Sequence, residues 1–92
     1  MTVNRKRELV YFVRQYDERK KAGLPPVLNQ MIEQAAHEAA GDVLAPFILR
    51  AACRGGTYKE MRMIHGIPCG KNMFYSLMKK FWTLLDESKY GV

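Results

Sequence analysis

The sequence predicts an all-α protein that folds as a single domain of five helices, of which the last is long. Apolar residues recur every three or four positions in five successive segments, and no segment alternates apolar and polar residues as a β-strand does. Glycines and prolines separate these segments. The chain has 92 residues, of which 48% are hydrophobic, so it can close one thin core but not two. The predicted helices span about residues 5–21, 27–40, 43–54, 58–65 and 69–88.

The first predicted helix carries an apolar stripe at helical spacing, formed by Leu9, Phe12, Val13 and Tyr16. Asn4 can cap its amino end, because an asparagine side chain accepts a hydrogen bond from a free amide of the first turn. Pro25 and Pro26 end it, since proline lacks an amide hydrogen and restricts the residue before it.

The second and third predicted helices form the apolar centre of the chain. Residues 27–40 place apolar pairs every four positions, and the alanine-rich end of this stripe lets another helix pack closely. Gly41 stops this helix, and the next one begins directly after it. The third helix is apolar nearly all round, as a helix at the centre of a domain should be, and Pro46 lies near its first turn or kinks it. Gly55 and Gly56 end it.

The fourth predicted helix is short and the fifth is long. Thr57 and Glu60 have capping-box spacing, in which the hydroxyl accepts from one free amide and the carboxylate accepts from another. Gly66 and Pro68 mark the turn that follows. The last helix has an apolar stripe of Phe74, Leu77, Phe81, Leu84 and Leu85. We expect its C-terminal part to pack back on the first helix or to pair with a second copy of the chain.

The formal net charge is +6, and it is unevenly spread along the chain. Residues 1–21 carry +4, residues 22–56 carry −1 and residues 57–92 carry +3. Basic ends around a near-neutral middle suit a polyanion, because lysine and arginine gain free energy by displacing counterions from phosphates. The charge distribution therefore favours a nucleic acid as partner.

The cysteines and histidines do not form a recognisable metal or catalytic site. Cys53 and Cys69 lack CxxC spacing, and neither cysteine lies within a few residues of His37. The ligands of a zinc site usually come in such closely spaced pairs. His65 and Cys69 stand close in sequence, but a turn intervenes and no carboxylate is placed to orient the histidine. We therefore expect no cofactor, no metal and no catalysis. The N-terminus is charged where a secretory signal turns apolar, and no apolar run is long enough to span a bilayer, so we expect a cytoplasmic protein with no membrane contact.

Residues 57–78 (TYKEMRMIHGIPCGKNMFYSLM) combine a capped short helix, a turn with glycine, and an amphipathic helix that opens with small and polar residues. In such a helix-turn-helix unit the first helix braces against phosphates, and the second presents its first turns to the major groove. Glycine suits the turn because a left-handed backbone there costs other residues more free energy. Ile67 is placed to fill the junction between the two helices.

The string T-Y-K-E-M…G-I-P…F-Y-x-L-x-K resembles the helix-turn-helix of bacterial and phage transcriptional regulators, whose usual form is T-x-x-E-Ø-A…L-G-Ø-S-x-x-T-Ø-Y-R. The resemblance implies that Thr57 caps the bracing helix, that Gly66 is the turn glycine and that Ile67 is the core residue after it. Phe74 and Tyr75 match the apolar-aromatic pair of the recognition helix. The stretch from Ile67 to Phe74 is slightly longer than in that pattern. Proteins of this kind bind DNA and are often dimeric on paired half-sites.

Lys71 and Asn72 are the predicted base-reading residues, because lysine can donate to guanine and asparagine can pair bidentately with adenine. Cys69 and Gly70 are small and would let the helix end approach the groove closely. The predicted phosphate contacts are Thr57, Tyr58, Lys59 and Arg62 on the bracing helix, Tyr75, Lys79 and Lys80 further along the last helix, and Arg5, Lys6 and Arg7 in a basic N-terminal arm.

The sequence therefore predicts a sequence-specific protein for double-stranded DNA, a small transcription regulator of bacterial, phage or mobile-element type, with a homodimer left open. A first alternative is a helical adaptor or inhibitor that binds a protein of a larger nucleic-acid machine. Such an adaptor would expose Phe81, Trp82 and Leu85 and would engage Lys71 and Asn72 internally. A second alternative is a DNA-packaging or replication accessory subunit, which would share the motif but assemble into a ring.

Overall fold

The computed structural model describes residues 2–91, and in this range the chain forms five helices and no strand. The helices are α1 (Val3–Arg14), α2 (Tyr16–Lys21), α3 (Val27–Arg54), α4 (Tyr58–Met63) and α5 (Lys71–Tyr90). The prediction of an all-α fold with a long last helix is confirmed.

The first predicted helix is two helices in the structure, because the chain bends at Gln15. Thr2, not Asn4, caps α1: its hydroxyl accepts from the Arg5 amide at an N···O distance of 3.2 Å. At the bend, the Phe12 carbonyl accepts a bond from the side chain of Arg19 at 2.7 Å. Arg19 is buried and also donates its Nε hydrogen to Asn29 at 2.9 Å. The prediction of one helix over 5–21 was wrong because a tertiary partner stabilises the break.

The break predicted between the second and third helices is present, although the residues on both sides of it belong to one helix, α3. Gly41 has φ +76° and ψ 173°, which no α-helical residue adopts, so α3 consists of a first arm (27–40) and a second arm (42–54). Pro46 is the fifth residue of the second arm, so its missing amide hydrogen removes one helical hydrogen bond near the start of that arm. Gly55, with φ +72°, ends α3 as predicted.

One core joins all five helices, and its most extensive interface lies between α3 and α5. The fully buried large side chains are Leu9 and Val13 of α1, Ile32 and Ile48 of α3, Met61 of α4, Ile67 of the turn, and Phe74, Phe81 and Leu85 of α5. Alanines of α3 fill the space between them and let the helices approach closely.

The C-terminal part of α5 packs back on α1, which is one of the two arrangements expected from the sequence. The Tyr90 hydroxyl donates to the Glu8 carboxylate at 2.7 Å. Arg5 lies 3.0 Å from Asp86 and stacks its guanidinium over the Tyr90 ring, 4.4 Å from the centroid. These contacts tie the two ends of the chain together and fix the axis of α5.

Candidate nucleic-acid interface

The start of α4 has the Thr57 half of the predicted capping box, while the Glu60 carboxylate forms no hydrogen bond within the described residues. Thr57 has an extended backbone, and its hydroxyl accepts from the Glu60 amide at an N···O distance of 3.3 Å. This bond satisfies one of the amides that a helix start leaves without an internal partner. Lys59 lies on the exposed side of the same turn.

The turn between α4 and α5 is held from both sides. Gly66 has φ +65°, and Ile67 directly after it is fully buried. The Ile67 amide donates to the Met61 carbonyl at 3.1 Å, and the Arg62 guanidinium donates to the Ile67 carbonyl at 3.1 Å. The glycine predicted for the turn therefore has a left-handed backbone, and the residue predicted to enter the core after it is buried. Arg62 is exposed, but one of its donors is used for the turn.

The turn is longer than predicted, because α4 ends at Met63 and α5 starts at Lys71. Pro68 cannot donate a helical hydrogen bond. The next residue, Cys69, is held by the Tyr58 hydroxyl, which donates to the Cys69 carbonyl at 2.9 Å. The helix therefore begins later than residue 69, and the extra residues of the sequence are absorbed before it.

Two of the predicted contact residues act inside the turn. Tyr58 is half-buried, and its ring lies 5.7 Å from the Phe74 centroid. Cys69 is half-buried, and burial raises the pKa of its thiol. Their polar atoms hold the turn against α4, so neither fits the base-reading or phosphate-gripping role expected from the sequence.

The amino end of α5 is exposed. Gly70, Lys71 and Asn72 face solvent, and none of the hydrogen bonds or ion pairs within residues 2–91 involves the side chains of Lys71 or Asn72. Gly70 has no side chain to cap the helix, and the first helical bond runs from the Phe74 amide to the Gly70 carbonyl at 3.0 Å. The three amides before Phe74 therefore point outward without a protein acceptor, which is favourable for an anion.

A polar stripe continues along α5 from this end. Lys71, Tyr75 and Lys79 are spaced by four residues and so share one face of the helix, and all three are exposed. Tyr75 packs edge-on against buried Phe74 at 5.0 Å between centroids. Lys80 is exposed beside the stripe.

The N-terminal basic residues do not form an arm, because they belong to α1. Arg5 is half-buried and engaged by Asp86 and Tyr90, so the prediction that it contacts phosphate is corrected. Arg7 is exposed. Lys6 is exposed and lines a groove of about 680 Å³ together with Gly56, Phe74, Tyr75, Met78, Lys79, Trp82 and Thr83. The fold therefore brings one lysine of α1 to the stripe of α5.

The feature that would mark a protein adaptor is not found. Phe81 and Leu85 are fully buried, and Trp82 is half-buried with its ring 5.0 Å from that of Phe81. Lys71 and Asn72, which an adaptor would engage internally, are the exposed residues.

Six further exposed cations were given no role in the sequence analysis: Arg14, Lys20, Lys21, Arg50, Arg54 and Lys89. The one signal available for them was the four-residue spacing of Arg50 and Arg54 on an otherwise apolar helix. Within residues 2–91 no three histidine, cysteine or acidic side chains gather in a way that could hold a metal ion.

No protein-family model, curated protein or solved structure matches this chain. Over the same described residues, none of the helices combines the length and hydropathy needed to cross a membrane.

Proposed function

We propose that the protein binds double-stranded DNA sequence-specifically as a small transcription regulator, by placing the amino end of α5 in the major groove. The observation that carries the proposal is the exposed, uncapped start of α5 next to a turn that is fixed by buried Ile67. An α-helix with its side chains is about as wide as the major groove of B-DNA, so the end can enter without deforming the duplex.

In this proposal Lys71 and Asn72 read base edges. Lysine donates to the O6 and N7 acceptors of guanine, and asparagine pairs with the N6 and N7 atoms of adenine. The outward amides of the first turn of α5 favour a phosphate nearby. The remaining phosphate contacts are the exposed groups of Thr57, Lys59, Arg62, Tyr75, Lys79, Lys80, Lys6 and Arg7.

Two copies of the protein would suit paired half-sites. The molecule measures 32 × 30 × 22 Å, and half-sites on one face of DNA lie about 34–36 Å apart. Copies on adjacent half-sites would therefore meet side by side. A homodimer and a cytoplasmic location, where DNA is present and the two free thiols stay reduced, are parts of the same proposal.

The test is a binding selection from randomised duplexes, followed by titration of the selected and scrambled sequences at two salt concentrations. Lys71→Ala should weaken binding to the selected site by about 1–3 kcal/mol while changing binding to scrambled duplex little. Lys59→Ala is the matched control, since it removes the same charge from a phosphate contact and should weaken both duplexes alike. Equal effects of the two substitutions, or a wild-type protein that ignores DNA at low ionic strength, would refute the proposal.

A further inference from the structure

Exposed cations outside the helix-turn-helix unit gather where α2 meets the second arm of α3. Lys20, Lys21 and Arg54 line a cleft of about 300 Å³ together with Asp17. Lys20 and Arg54 also line an adjoining cleft of about 310 Å³, which Arg50 borders. The two clefts therefore form one concave surface that carries four cations.

The charge of this surface is strongly positive. Its one acid is Asp17, which is already paired with Arg54 at an N···O distance of 3.3 Å. Lys20, Lys21 and Arg50 form no ion pair within the described residues. Charges of one sign in a concave site focus the electrostatic potential and raise the local concentration of an anionic ligand.

The end of α3 joins these clefts to the stripe of α5. A methyl group built on Gly55 would lie 2.7 Å from a guanidinium nitrogen of Arg14, so this arginine lies directly over the backbone next to Arg54. The following residue, Gly56, lines the groove that contains Lys6 and Lys79. A continuous basic seam therefore runs from α5 to α2, formed by Lys79, Lys6, Arg14, Arg54, Arg50, Lys20 and Lys21.

We propose that the basic seam, which continues from the phosphate contacts already proposed for Lys79 and Lys6, adds a second nucleic-acid site that binds the phosphate backbone of the duplex beyond the segment read by α5. The identity of the duplex rests on the proposed function, but the presence of the site does not depend on it. The molecule is about 30 Å wide, which corresponds to roughly nine base pairs at the rise of about 3.4 Å per pair. The seam supplies affinity without sequence preference.

The surface fits a nucleic acid better than a membrane. Peripheral helices bind bilayers by burying an apolar face below their cations. Most apolar residues that line the clefts are instead shielded: Tyr16 and Cys53 are buried, Leu49 is half-buried, and Pro46 is the exposed one. Cations at a concave surface without an exposed apolar face match a line of phosphates.

The experiment compares the double variant Lys20→Gln/Arg50→Gln with the control Gln34→Glu/Val43→Glu. Both lower the net charge by two, and all four residues are exposed, but the control changes lie on α3 away from the clefts. Affinity for a 20-base-pair duplex is measured by fluorescence anisotropy over a salt series, on the selected and the scrambled sequence. Circular dichroism verifies that each variant keeps its helices.

The seam variant should lose about two units from the slope of log K against log salt, because each phosphate contact contributes about 0.9. At 0.1 M salt its affinity should fall more than tenfold for both sequences, with the ratio between them unchanged. The control should keep the wild-type slope. A seam variant with the slope of the control would overturn the inference.

The outcomes separate this inference from the proposed function. A wild-type protein that binds both duplexes alike, and loses that binding in the seam variant, supports the seam and refutes sequence-specific reading. A Lys71→Ala variant that loses preference, beside a seam variant that keeps its slope, supports the reading and refutes the seam. Anionic phosphatidylserine vesicles are the third ligand: if the seam variant loses vesicle binding but keeps its duplex affinity, the seam is a membrane surface and the inference fails.

Discussion

The left-handed glycine of the turn gives the most direct test of the proposed reading unit. Gly66 has φ +65°, and a Cβ built on it would have no heavy atom within 4 Å apart from its chain neighbours. The substitution Gly66→Ala therefore adds no clash, and its cost comes from the backbone alone. A left-handed conformation costs an L-residue about 1–2 kcal/mol, so we expect a loss of this size in the free energy of unfolding.

Urea and thermal unfolding of the intact chain measure this loss. For a domain of this size, 1 kcal/mol corresponds to a fall in Tm of about 4–8 °C. Gly66→Asn should recover part of the loss, because asparagine adopts left-handed conformations more readily than alanine does. The variants should also differ in DNA reading, since a turn forced out of the left-handed region no longer fixes Ile67 and the start of α5.

Gly70→Ser is the matched control in the same turn. Gly70 also has open space around it, but its φ is −81°, which any residue adopts. The serine hydroxyl can accept from a free amide of α5, so this change should stabilise the protein by about 0.3 kcal/mol. If Gly66→Ala and Gly70→Ser change stability alike, the turn does not have the described backbone. The reasoning about the start of α5 would then be wrong.

Three further predictions concern the rest of the molecule. Burial raises the pKa of Cys53 to about 11, so this thiol stays neutral in the folded state at pH values where the unfolded chain ionises. The contribution of this neutral thiol to stability is present below about pH 9, and roughly 2–3 kcal/mol is lost as the pH rises towards 11. Cys53→Ala should therefore flatten the pH dependence of urea unfolding over that range. Ellman's reagent at pH 8 should label half-buried Cys69 well before buried Cys53, and equal rates would contradict the described burial. Asp86→Ala leaves partly buried Arg5 without its counter-charge and should lower the free energy of unfolding in urea by about 1 kcal/mol. The affinity for DNA should not fall. A loss of affinity would place Arg5 and Asp86 in the proposed DNA interface.

The helices were predictable from sequence where local chemistry alone determines them. The break at Gly41 and the end at Gly55 both need a left-handed or otherwise non-helical backbone. Glycine adopts such a backbone more readily than other residues, so its presence in the sequence indicates both positions. The cap at Thr57 and the turn at Gly66 follow from the same kind of local preference. The bend at Gln15 carries no such signal, since its stabilisation comes from the buried Arg19 side chain, which bridges the Phe12 carbonyl before the bend and Asn29 of α3.

The candidate site was predictable in outline but not in its membership. Lys71 and Asn72 are exposed because they lie in the first turn of α5, ahead of Phe74, which is the first residue of this helix to enter the core. The engagement of Arg5 depends on Asp86, near the other end of the chain, and no spacing rule connects them. Tyr58 was predicted to contact phosphate, because the acceptor that its hydroxyl uses, the Cys69 backbone carbonyl, has no signature in the sequence.

Helix α5 contributes to both the core and the candidate site, and this lowers the entropy cost of binding through its first turn. Buried Phe74, Phe81 and Leu85 fix one face of the helix in the core, and the turn fixes its first residues through Ile67. The entropy of ordering these residues is therefore lost on folding and not on association. In the proposed function, a helix end ordered in this way would discriminate between bases, because a mismatched contact could not be relieved by local movement of the backbone. The long side chains of the proposed seam would act differently: they would adapt to any phosphate, and so would add affinity where the helix end would add specificity.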